Sequence, residues 1–185
     1  MLLLSAFFNI FANNKKSFNS NTRNRIKMKP LSEPEALNRA AAYCSTCERC
    51  VSEVCAKLTA WGADATVQQR IIERLISENF INETRFCKAF VNDKVRFNRW
   101  GRRKIEISLR NKNIERSIID EALYAIDEDE YMSALSAVVA AKSKELKGKK
   151  DYLSRQKILR YAVSRGFEPS LIMNIINFNP DEMDF

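Results

Sequence analysis

One short pattern occurs three times in the chain and limits its fold more than any other feature. Gly62, Asn113 and Gly166 stand 51 and 53 residues apart, and an acid follows each two residues on: Asp64, Glu115 and Glu168. Gly and Asn accept the left-handed backbone conformation that ends a helix. An acid two residues later can cap the next helix and meets the positive end of its dipole. Apolar residues then recur at equal offsets: Val67, Ile118 and Leu171, followed by Ile71-Ile72, Ala122-Leu123 and Ile175-Ile176. That spacing describes a helix with one buried face. Agreement at so many offsets reads as an internal repeat.

Each copy has further helices in front of it. Ser32 and Glu35 form a capping box before Leu37, Ala40, Ala41 and Cys44. Ser45 and Glu48 form a second box, which starts a helix turning Val51, Val54, Cys55 and Leu58 inward. Asn82 caps a helix expected to bury Phe86, Ala89, Phe90 and Phe97, and Trp100-Gly101 breaks it. Asp127 and Glu130 start a helix carrying Tyr131, Ala134, Leu135 and Val138, which Gly148 ends. The chain has only 4 Gly and 4 Pro, where average usage gives about 13 and about 9. That scarcity disfavours the many turns of a sandwich or barrel. The expected fold is all-α: three tandem three-helix repeats forming an elongated, curved body. The repeats are expected at 30–80, 81–126 and 127–179, after an extension at 1–29 and before a tail at 180–185. Units of about 50 residues are small for independent cores, so neighbours should support one another.

The net charge of +8 is unevenly spread. Residues 1–29 carry six basic residues and no acid, which leaves the rest at +2. Residues 94–116 hold nine basic and two acidic residues, 117–141 hold six acidic and none basic, and 142–165 hold nine basic and two acidic. Blocks of this kind suit a chain that lies against a polyanion or a charged protein groove, or they are solvated helix faces. The expected partner-binding residues are Lys94, Arg96, Arg99, Arg102, Arg103, Lys104, Arg110, Lys112, Arg116, Lys142, Lys144, Lys147 and Arg155. Arg102, Arg103 and Lys104 follow the Trp100-Gly101 break at a helix start, where positive charge opposes the dipole. An external anion explains that placement, and reversing the three charges is expected to spare folding. Phe97 and Trp100 are read as core anchors between two helices, with base stacking as the alternative.

Catalysis is not expected. The chain has no His, which removes His-based triads and proton shuttles. No Gly-rich phosphate loop occurs, and the dense acids Asp127 to Glu130 sit at a helix start, where they favour the dipole. Cys44, Cys47, Cys50, Cys55 and Cys87 include a CxxCxxC run, a spacing that iron–sulfur and zinc sites use. The favoured reading is buried thiols at Cys44, Cys47 and Cys55, with no metal or cofactor. Five thiols without a secretory signal suggest a reducing cytoplasm. Met1 to Ala12 is apolar but too short to span a bilayer. Residues 1–27 are read as upstream of the true start at Met28, with weak membrane association or targeting as the alternative.

Taken together, these residues resemble the RecX family of bacterial recombination regulators. The resemblance runs from about Pro34 to Phe178, and its most specific stretch is Phe80 to Leu109. Phe80, Ile81, Asn82, Glu83, Arg85, Phe86, Trp100, Gly101, Lys104 and Ile105 match the family pattern there. Cys87 departs from it, standing where the family usually has Ala. Ala40 to Ser52 matches the opening element, and Ser164 to Phe167 the closing SRGF. The resemblance implies a non-enzymatic protein that binds RecA and its filament on single-stranded DNA. It implies inhibition of ATPase, strand exchange and coprotease activity by a monomer, through groove binding or filament-end effects, with weak direct DNA binding possible and no membrane partner. The competing reading is a helical protein that binds nucleic acid directly.

Overall fold

The computed structural model describes residues 31–148 and 151–177. Among them are nine helices and no strand. The first unit holds α1 (Glu33–Thr46), α2 (Val51–Ala60) and α3 (Ala65–Ser77). The second holds α4 (Glu83–Arg96), α5 (Arg102–Arg110) and α6 (Arg116–Tyr124), and the third α7 (Glu128–Glu145), α8 (Tyr152–Ser164) and α9 (Pro169–Ile176). The expected extension at 1–29 and tail at 180–185 lie outside the described residues.

The repeated stop signal works as its chemistry requires. Gly62, Asn113 and Gly166 have φ of 85°, 60° and 95°, values that Gly and Asn tolerate better than branched residues. The acids two residues on occupy the N-cap position of α3, α6 and α9, but they act differently. Asp64 accepts the Val67 backbone N–H at 2.9 Å. Glu115 and Glu168 make no such bond; their longer side chains place the carboxylate against other donors. Glu115 accepts instead from the Ser117 hydroxyl, and Glu168 from the Tyr131 phenol.

Other helix starts follow the sequence with one exception. The Glu35 carboxylate accepts from both the backbone and the hydroxyl of Ser32, Asn82 accepts from Arg85 N–H, and Asp127 accepts from Glu130 N–H. The expected box at Ser45 and Glu48 does not form. Ser45 and Thr46 belong to the last turn of α1, where their hydroxyls donate back to the Ala41 and Tyr43 carbonyls at 2.9 Å. This back-bonding is a ready alternative to capping forward. The α2 helix begins later, with Cys50 at its N-cap.

The buried face of α4 also differs from expectation. Phe86, Cys87, Val91 and Val95 are buried and Phe90 packs beside them. Ala89 is exposed, and Phe97 is 80% exposed. Cys87, Val91 and Val95 already form an i, i+4, i+8 stripe. Phe97 falls at the C-cap, past the last inward turn.

Among the described residues two cores result, not three. Ala40, Val54, Leu58, Ile71, Ile72 and Leu75 fill the first unit. One continuous cluster runs through the second and third units, from Phe86, Leu109 and Ile119 to Tyr131, Leu135, Phe167 and Ile172. Cys50 leaves its own unit and packs into this second core. Beside it, ion pairs join the first unit to the second: Arg85 to Glu48 at 2.8 Å and Lys112 to Glu53 at 2.6 Å.

Candidate partner-binding surface

The Trp100-Gly101 break and the SRGF element, distant in sequence, meet at one joint. Gly101 N–H donates to the Arg165 carbonyl at 2.9 Å, and Arg103 N–H donates to the Gly166 carbonyl at 3.1 Å. A Cβ on Gly101 would lie 2.2 Å from backbone atoms of Gly166 and Phe167. A Cβ on Gly166 would lie 2.4 Å from the Lys104 Cβ. Both glycines are therefore dictated by backbone contact.

Tyr131 completes the joint from α7. Its hydroxyl accepts the Arg102 backbone N–H at 3.0 Å and donates to Glu168 at 2.6 Å. Its ring packs 5.2 Å from that of Phe167. Burial, and then the bond to Glu168, push the Tyr131 phenol well above its ordinary pKa, so it stays a donor. Sequence reading placed Tyr131 only as a core residue; nothing in the periodicity signals that its hydroxyl links α5 to α9.

Several of the expected binding cations are engaged within the chain. Arg102 reaches Glu128 at 2.6 Å and Glu168 at 3.5 Å, with its guanidinium 4.0 Å over the Tyr131 ring. Arg96 forms a two-pronged pair with Glu130. The acidic first turn of α7 is thus partly neutralised by the basic segment across the joint. Lys112 pairs with Glu53, and Arg155 donates to the Asn177 carbonyl at 2.9 Å. Arg110 sits 3.6 Å from Glu106, Arg116 3.4 Å from Asp120, and Lys142 2.6 Å from Glu145. The last three are local helix pairs worth little against solvent.

Lys94, Arg99, Arg103, Lys104, Lys144 and Lys147 have no carboxylate partner among the described residues. Four of these lie in or beside the α4–α5 connection. Lys94 and Lys104 place their ammonium groups 5.5 and 4.8 Å from the Trp100 ring. Arg99 holds a left-handed φ of 51°, and Arg165 donates to the neighbouring Asn98 carbonyl. Trp100 packs against the second core, as an anchor should. Phe97, expected beside it, is exposed instead.

The cysteines divide by burial. Cys44, Cys50 and Cys87 are buried, Cys55 is half-buried, and Cys47, expected inside, is exposed. It lies past the end of α1, in the stretch that the unformed Ser45 box was expected to make helical. Burial pushes the Cys55 thiol up to about 11 and the Cys87 thiol up to about 12, which keeps both protonated near neutral pH. Among the described residues, no three Cys, Asp or Glu side chains gather as metal ligands. No helix among them is long and apolar enough to cross a membrane.

Comparison with known proteins matches residues 82–123 to the family model described as RecX, second three-helix domain. The regulatory protein RecX of Clostridioides difficile is 30% identical, across 96% of this chain and 88% of its own length. That of Prosthecochloris aestuarii is also 30% identical, across 77% of this chain and 92% of its own length. The crystal structure of RecX from Lactobacillus salivarius superposes with a TM-score of 0.69 at 21% identity, covering 78% of this chain and 94% of that one. Another crystal structure, of a regulatory protein RecX, gives a TM-score of 0.71 at 20% identity, covering 78% of this chain and 71% of that one. The helical architecture, the joined Trp-Gly and SRGF elements and these relatives agree: the chain belongs to the RecX family of regulatory proteins.

Proposed function

We propose that this chain binds RecA and the filament RecA forms on single-stranded DNA, restraining its ATPase, strand exchange and coprotease activity as a non-enzymatic monomer. Family membership supports RecA as the partner. The observation that carries the docking surface is a group of cations in and beside the α4–α5 connection that have no carboxylate partner among the described residues: Lys94, Arg99, Arg103 and Lys104. Lys94 stands on α4, and the Gly101–Gly166 joint holds the start of α5 that carries Arg103 and Lys104, so little order has to be imposed on binding. Lys144 and Lys147 offer a second basic contact. A body touching several filament subunits gains from multivalency and resists the subunit motions that ATP turnover needs.

The test is the double variant Arg103→Glu/Lys104→Glu. Acids at the start of α5 suit the helix dipole, so the melting temperature should hold or rise slightly. The concentration giving half-inhibition of filament ATPase should rise at least tenfold, a loss of about 1.4 kcal/mol. If these side chains neutralise DNA phosphates, the salt slope should flatten by about 0.7 for each phosphate no longer neutralised. Unchanged inhibition would remove this surface from the interface. Binding of the wild-type chain to bare DNA as tightly as to filaments would favour a direct nucleic-acid binder.

A further inference from the structure

The outward side of α5 contains a feature that phosphate binding does not use. Only Ile105 and Leu109 of this helix are buried. Arg103, Ile107 and Arg110 fall at i, i+4 and i+7, which stacks them along one face. Ile107 is 58% exposed, in the middle of that strip. An exposed apolar residue is unremarkable on its own. Here, however, a β-branched residue of modest helix propensity stands mostly exposed and belongs to neither hydrophobic core among the described residues. It is flanked one turn away by two arginines. Arg103 has no carboxylate partner among the described residues, and Arg110 has only the loose contact to Glu106. A phosphodiester backbone would use the arginines and gain nothing from the isoleucine. A protein surface with an apolar pocket bordered by carboxylates would use all three, since apolar centres with arginine at their edge are characteristic of protein contacts.

We propose that this strip is a protein-contact surface on which Ile107 seats in an apolar pocket of the partner, while Arg103 and Arg110 meet carboxylates at its edge. The inference rests on the filament-binding reading above and adds the residue that separates a protein partner from bare nucleic acid. Charge complementarity sets the partner's chemistry: an acidic rim around an apolar depression. Ile107 supplies the part of recognition that salt does not screen.

The experiment compares wild type, Ile107→Gln and Ile107→Leu for binding to preassembled RecA filaments and to bare single-stranded DNA, with melting curves for each. Gln keeps the net charge, so electrostatic attraction is unchanged. Ile107→Gln should weaken filament binding about tenfold or more, the loss expected of an anchor residue. It should leave bare-DNA affinity and the melting temperature where they were. Ile107→Leu should recover most of the lost binding. The defect should persist at high salt, unlike that of the Arg103→Glu/Lys104→Glu variant. The inference is overturned if Ile107→Gln binds filaments like wild type, if both ligands lose affinity equally, or if Leu fails to rescue. Failure of the wild-type chain to bind filaments at all would instead overturn the filament reading itself.

Discussion

At the scale of single residues, the joint between α5 and α8 is set by two glycines for different reasons. Gly101 has an ordinary extended conformation, with φ of −81°, so any residue could adopt its backbone angles. It is Gly because the Gly166 peptide occupies the space where a side chain would start. Gly166 meets the same contact from the other side and also has φ of 95°. Replacing Gly101 with Ala should force the two backbones apart and strain the bonds at Arg165 and Gly166. The expected loss is about 3 kcal/mol, the upper range for overpacking, because the obstruction is backbone and has no rotamer to yield. Chemical denaturation of Gly101→Ala measures this, and a loss below about 0.5 kcal/mol would contradict the close approach. The sequence alone could not pair these glycines. Each reads as a helix breaker, and neither says which distant segment it touches.

At the scale of helices, local chemistry is legible where a single local solution exists within one turn. Ser32, Asn82 and Asp127 all occupy the N-cap positions read for them. Misreadings arose where two local solutions compete or a helix ends. Ser45 had a carbonyl behind it and a helix ahead, and it bonded backward. Phe97 continued the aromatic run of α4 but lay past its last inward turn. The repeated acid separates position from role and gives a direct comparison. Asp64→Ala removes a real capping bond and should cost about 1 kcal/mol. Glu115→Ala, at the equivalent position of the next repeat, removes no bond to the helix backbone and should cost only a few tenths. Equal losses in urea titrations of the two variants would show that the acid acts through its charge at the dipole and not through the cap.

At the scale of the whole molecule, the charge blocks were legible but their partners were not. The basic run around Arg96 and Arg102 looked wholly available until α7 brought Glu128 and Glu130 against it. Composition counts charges, whereas tertiary contact decides which of them remain for a partner. The same contact makes the second and third units one body. They share apolar core and backbone hydrogen bonds, while the first unit meets the second through Cys50 and the Arg85–Glu48 and Lys112–Glu53 pairs. A fragment of about 50 residues buries too little surface to stand alone, and 127–177 by itself would expose Tyr131, Leu135 and Phe167 where the second unit covers the shared core. A fragment spanning 81–177 should therefore be helical by circular dichroism and melt in one cooperative transition. The 127–177 fragment should show weak helicity and a broad, gradual melt. A sharp melt of 127–177 at a temperature close to that of 81–177 would mean that the third unit carries its own core, and that the Gly101–Gly166 joint only fastens two finished domains together.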